Sequence, residues 1–213
     1  MNTIKNMQVS TLLSTLHKES EANYTERYAI LNDITDSTER EKKHEELRKS
    51  AFMSVSAEEG SLLYFLANFS KAKQIVEFGC SFGISTIYLA AAAKNNNGKV
   101  ITTELEISKI TQAEKNIAKA GLTDYVTFLP GDATQTLISV DDDINFLFLD
   151  GAKELYLPVF KTLESKLSAN AIVFADNTDK PEAQDFVQYI QNKNNFNSSF
   201  LFGSKVLLSN KLQ

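Results

Sequence analysis

The sequence predicts an α/β fold on a mostly parallel seven-stranded sheet with an antiparallel C-terminal hairpin strand and N-terminal helices. Three observations carry that prediction. Five short apolar runs alternate with helical stretches, the pattern of parallel strands joined by helices that cover both faces of a sheet. The last two apolar runs are separated only by Gly203-Ser204, a link short enough to require a hairpin. The first fifty or so residues have helical periodicity and no strand signal.

Taken in order, Leu12, Leu13 and Leu16, then Tyr28, Ile30 and Leu31, form the apolar side of helices with polar opposite faces. From Ser37 to Lys49 nearly every residue is charged or polar, which predicts a solvated surface helix laced with i,i+4 ion pairs. His17 and His44 lie in these helices without a partner motif, and both are expected to be exposed. Gly60 to Leu66 is a further amphipathic helix. The strand runs are then Gln74–Phe78, Lys99–Thr103, Tyr125–Leu129, Ile144–Leu149 and Ala171–Ala175, joined by right-handed crossovers. Ser198–Phe202 and Lys205–Ser209 form the hairpin. At 213 residues and 43% hydrophobic content the chain supports one good core. The organisation is therefore read as a helical extension over residues 1–56 and a ligand-binding domain over 57–213, together one structural unit.

Lys plus Arg number 22 against 27 for Asp plus Glu, a net charge of −5, so no basic field gathers nucleic acid or anionic lipid. The single Cys80 excludes an internal disulfide. With no basic-then-apolar leader pattern and no apolar run of membrane length, the expected setting is the cytoplasm.

Two strands end on carboxylates, Phe146-Leu147-Phe148-Leu149-Asp150 and Ala171-Ile172-Val173-Phe174-Ala175-Asp176-Asn177, with Lys153 just beyond the first. Asp150, Asp176 and Asn177 present only hard oxygen atoms, which suits a divalent magnesium ion that keeps positions open for water and substrate. Strand-terminal Asp and Asn also cap helices, so this pattern takes its weight from the rest of the chain. In an open parallel sheet, ligands bind beyond the carboxyl ends of the strands, which directs attention to Val76 through Thr86. Gly79 and Gly83 let backbone approach a ligand there. Their spacing is not the G-x-G-x-x-G of a dinucleotide site, which disfavours an NAD-dependent oxidoreductase. The second strand ends on Glu104, where a Rossmann-like sheet places an acid for ribose hydroxyls.

On these residues the chain resembles the metal-dependent O-methyltransferases that use S-adenosylmethionine, the group of catechol and caffeoyl-CoA O-methyltransferases and their uncharacterised bacterial relatives. The resemblance runs from about Met53 to Asn177 and implies the class I methyltransferase fold. Met53-Ser54-Val55 is similar to the segment that covers the methionine end of the cofactor. Glu77-Phe78-Gly79, with Ser81 and Ser85, is similar to the loop holding its amino-acid part. Glu104 falls where the family binds ribose, and Asp132-Ala133 where it packs adenine. Asp150-Gly151-Ala152-Lys153 resembles the metal and catalytic-lysine motif, with Asp150 also beside the cofactor, and Asp176-Asn177 supplies the other two metal ligands. The implied activity is methyl transfer to a metal-bound hydroxyl of a small molecule, with Lys153 as general base. A non-catalytic module that holds S-adenosylmethionine or a nucleotide is the alternative, and a base beside a metal argues against it.

The chain departs from the catechol pattern in having no Trp, in Ala152 where a bulky residue can stand, and in having no acidic residue after Asp185. A larger vicinal diol or a hydroxy-acid suits such a pocket as well as a catechol does. The N-terminal helices, which in this group shape the substrate mouth or a dimer contact, make a homodimer the candidate assembly.

Overall fold

The computed structural model describes residues 2–212. Helix α1 (Met7–Asn32) starts where the Asn6 side chain accepts from the Gln8 N–H, and α2 (Ser37–Ser50) where Asp36 accepts from Glu39 N–H. No residue of α2 is buried, as its charged sequence predicts. Helix α3 (Ala57–Phe69) opens with a capping box in which Ser56 and Glu59 each accept the other's backbone N–H. The alternating part follows as β1 (Gln74–Phe78), α4 (Ile84–Asn96), β2 (Lys99–Glu104), α5 (Ile107–Lys119), β3 (Val126–Pro130), the short α6 (Ala133–Thr136), β4 (Ile144–Leu149), α7 (Tyr156–Leu163), β5 (Leu167–Ala175), α8 (Gln184–Gln191), β6 (Phe196–Leu201) and β7 (Val206–Lys211).

The strands form one seven-stranded sheet in the order β3-β2-β1-β4-β5-β7-β6. All pairs are parallel except those made by β7, which runs antiparallel between β5 and β6. Successive strand residues point to opposite faces, and the core divides accordingly. Ile75, Phe146, Phe148, Phe174 and Val206 pack with α1, α3 and α4 on one face. Val76, Leu147, Leu149, Val173 and Leu207 pack with α7 and α8 on the other. Every residue from Ile84 to Ala93 is buried, because α4 is apolar on most of its circumference and lies between the sheet and the α1–α3 layer.

Three expectations need correction. The last two strands are joined by four residues, not two: the ladder ends at Leu201 opposite Val206, and Phe202, Gly203 and Ser204 all take positive φ. Lys205 leaves the ladder because its carbonyl accepts from the Thr178 N–H (2.7 Å). The strand limits also move. Tyr125 belongs to a 3-10 turn before β3, β5 reaches back to Leu167, and the hairpin strands are Phe196–Leu201 and Val206–Lys211. Finally, His17 and His44 are half-buried. His17 sits one residue past buried Leu16, where α1 meets α4, at 3.1 Å from the Tyr88 hydroxyl; burial pulls its pKa down. His44 lines a hollow between α2 and α1 together with Tyr28 and Leu31.

Candidate functional site

The sheet order reverses at β1, whose neighbours are β2 on one side and β4 on the other. Helices leave these strands toward opposite faces, which opens a crevice beyond their carboxyl ends. Two backbone bonds extend the ladders by one residue there. Asp150 N–H donates to Phe78 O (2.9 Å) and Asp176 N–H to Leu149 O (3.0 Å), so Phe78, Asp150 and Asp176 stand side by side. Gly79 follows at φ +91, and a Cβ there would lie 2.7 Å from Gly151 Cα. Only glycine fits, because the β1 and β4 loops touch.

Glu77 is fully buried at the end of β1. Its Oε2 accepts from Thr86 and Thr102 hydroxyls, each at 2.6 Å, while Oε1 is buried with no partner among the described residues. Burial pushes its pKa up, against the hydrogen bonds that hold it down. An unpaired carboxylate oxygen at this depth is costly and suits a ligand donor such as an ammonium group. Beside it, Glu104 Oε2 accepts from Ser81 N–H (2.9 Å), and Oε1 from Leu105 and Glu106 N–H (2.9 and 3.1 Å). These bonds fix the carboxylate against the β1 loop and leave lone pairs for hydroxyl donors. Met53 N–H donates to Ser81 Oγ (3.2 Å), which lays residues 52–54 across the same loop. Ser85 is buried in the first turn of α4, whose N-cap Gly83 gives no side-chain bond.

Lys153 Nζ lies 3.0 Å from Asp150 Oδ1, with the lysine and aspartate side chains only 20% and 15% exposed. Asp176 is buried, and its Oδ1 accepts from Asn177 N–H (2.8 Å). Asn177 takes φ +53, and its amide makes no hydrogen bond among the described residues. Burial raises the Asp150 pKa, against the pull of Lys153. Burial and then the Asp150 charge push Asp176 up to about 7. Two adjacent carboxylates and one amide that is free among the described residues offer hard oxygen donors that fit a divalent ion. No group of three His, Cys, Asp or Glu side chains forms a metal cluster among the described residues, so the Asn177 amide would be the third protein ligand.

The remaining predicted residues lie at the edges. Asp132 caps α6, its Oδ1 accepting from the Thr134 N–H and hydroxyl, both at 2.8 Å. Ala133 and Val55 are buried in the core and can offer a ligand little but backbone. Gly131 N–H donates to Glu104 O (2.9 Å), which holds this edge to the end of β2.

Two participants escaped the sequence reading. Lys205, from the β6–β7 turn, reaches Asp176 Oδ1 at 3.2 Å and pairs with buried Glu59 at the start of α3. Burial pulls the Lys205 pKa down, but the two carboxylates prevail and raise it, while Lys205 in turn holds Glu59 low against burial. The Ser56-Ala57-Glu58-Glu59 pattern signals a helix cap. Nothing local marks Lys205, which meets its partners only through the sheet.

A family model described as O-methyltransferase matches residues 21–183. A catechol O-methyltransferase from Niastella koreensis is 33% identical over 129 residues, covering 59% of this chain and 58% of that protein. This chain thus spans under two thirds of the length of that relative. Among solved structures, the O-methyltransferase TomG from Streptomyces achromogenes, in complex with SAM, superposes with a TM-score of 0.69 at 25% identity, covering 76% of this chain and 82% of TomG. An O-methyltransferase from Bacillus cereus in complex with SAH gives 0.68 at 23% identity, over 75% and 83%.

Proposed function

This chain belongs to the O-methyltransferase family, and from that premise we propose that it transfers the methyl group of S-adenosylmethionine to a hydroxyl oxygen of a small molecule, with Lys153 as the base. The observation that carries this reading is the Lys153–Asp150 pair at 3.0 Å, set beside Asp176 where the sheet order reverses. The solved neighbours in complex with SAM and SAH support the donor.

Glu77 Oε1 accepts from the donor's ammonium group, and the glycine loop and first turn of α4 receive its carboxylate. Glu104 accepts from the ribose hydroxyls, Asp132 and Ala133 border the adenine, and Met53 and Val55 close the methionine end. Asp150, Asp176 and Asn177 would hold a divalent ion, their hard oxygen donors suit magnesium, and when bound the ion would supply Lewis-acid polarisation of the acceptor hydroxyl. Lys153 accepts the hydroxyl proton as the oxygen attacks the methyl carbon; the carbon–sulfur bond breaks and its electron pair stays on sulfur. The rigid strand ends align oxygen, carbon and sulfur, and orientation of this kind supplies about 7 kcal/mol or more.

Thermal-shift measurement on the full chain tests the reading. S-adenosylhomocysteine is expected to raise the melting temperature, by the equivalent of about 2.7 kcal/mol at a hundredfold excess over Kd, and NAD to leave it unchanged. A shift with NAD and none with S-adenosylhomocysteine sinks the proposal.

A further inference from the structure

The inward face of α1 meets residues 52–54 at three successive positions. Ser20 Oγ lies 2.6 Å from Ser54 Oγ, Asn23 Oδ1 accepts from Phe52 N–H (3.1 Å), and Arg27 Nη1 donates to Met53 Sδ (3.3 Å). The first two contacts are ordinary neutral bonds. The third is not. Arg27 is 7% exposed, its Nε is buried with no partner, and no carboxylate lies within ion-pair distance among the described residues. Among the described residues its only hydrogen bond goes to a thioether, a weak acceptor. A guanidinium is always charged, and burying it without an anion is strongly unfavourable. A neutral side chain would clamp the segment at lower cost.

The place of this cation suggests what completes it. Met53 is bound through its N–H to Ser81 in the β1 loop, and Ser81 N–H to Glu104, so Arg27 packs on the segment that lies across the crevice loop. It touches the tip of the Met53 side chain, which is 43% exposed. The donor's own carboxylate has the glycine loop and the α4 N–H groups, which leaves Arg27 for the other substrate.

We infer that Arg27 binds a carboxylate carried by the methyl acceptor, so that the substrate class is a hydroxylated organic acid. This rests on the methyltransferase reading above. The planar fork of the guanidinium matches a carboxylate in two parallel hydrogen bonds and sets the angle at which the acceptor enters.

The test compares 3,4-dihydroxybenzoate with catechol, which share a diol and differ by the carboxylate, on the full chain with saturating S-adenosylhomocysteine and magnesium. In the wild type the acid is expected to bind at least tenfold more tightly. Arg27→Met should make the two equal, and Arg27→Lys should recover part of the preference. The S-adenosylhomocysteine shift should be unchanged in Arg27→Met, and its ligand-free melting temperature should equal or exceed that of the wild type, because an unpaired buried charge is gone. Equal binding of the two ligands by the wild type, or binding of neither, overturns the inference. So does a lower ligand-free melting temperature in Arg27→Met with the preference intact, the mark of a structural arginine. Loss of the S-adenosylhomocysteine shift in Arg27→Met alone would assign Arg27 to the donor instead and also overturn it. Absence of that shift in the wild type is a different result, because it removes the methyltransferase reading itself.

Discussion

Substitution at Asp176 is expected to act on stability, and substitution at Lys153 on turnover. Asp176 holds its proton to about pH 7, first through burial and then through the neighbouring Asp150. An unfolded aspartate titrates near 4. The folded pKa is the higher one, so the stability from this group is fully present below about pH 4 and is lost as pH rises through about 7. Asp176→Asn removes the charge and keeps an acceptor for the Asn177 N–H. Its melting temperature without metal is therefore expected to gain on the wild type steadily from pH 5 to pH 8; a difference that does not vary with pH refutes the assignment. Lys153→Met keeps the aliphatic stem and deletes the amine. Turnover should fall by about 100-fold or more, the scale of general-base catalysis, while S-adenosylhomocysteine affinity persists. Near-normal turnover per folded molecule would show that the lysine serves only its ion pair with Asp150.

Between elements, the β6–β7 turn and α3 are joined through one ammonium group. Lys205 touches Asp176 at the end of β5 and Glu59 in the capping box of α3, and both carboxylates are buried. Lys205→Met leaves two buried acids without their cation. Breaking a fully buried pair costs about 3–5 kcal/mol; with the lysine side chain 36% exposed, about 1–3 kcal/mol is the expectation here. Denaturant unfolding of Lys205→Met and of the double variant Lys205→Met/Glu59→Gln checks it. The second change should restore part of the loss, and a single variant as stable as the wild type would mean that solvent already screens the pair. The same turn explains the four-residue link: Thr178 draws the Lys205 carbonyl out of the ladder, and the Lys205 side chain reaches Asp176.

At the scale of the whole molecule, the residues proposed for the donor and for the metal sit on different strand ends. Glu77 and Glu104 close β1 and β2, whereas Asp150 and Asp176 follow β4 and β5. Chelation by EDTA is therefore expected to stop turnover and spare S-adenosylhomocysteine affinity, measured by calorimetry; methylation at an undiminished rate in excess EDTA would remove Asp150, Asp176 and Asn177 as a metal site. No helix among the described residues is long and apolar enough to cross a membrane. Much of this architecture is local in origin. Apolar runs between turn residues, such as Ile144 to Leu149, declare strands by period and length, and the solvated α2 is declared by its charges, because each signal depends on residues within one or two turns of chain. The acids at strand ends were legible for the same reason, since a parallel sheet always gathers its carboxyl ends on one edge. What tertiary structure alone decided is who meets there. Insertion of β7 between β5 and β6 brings Lys205 to Asp176, the packing of α1 on α4 half-buries His17, and the clamp of α1 on residues 52–54 leaves Arg27 without an anion among the described residues. Each is a contact between side chains distant in sequence, set by how sheet and helices close on one another, and no periodicity within a segment encodes it.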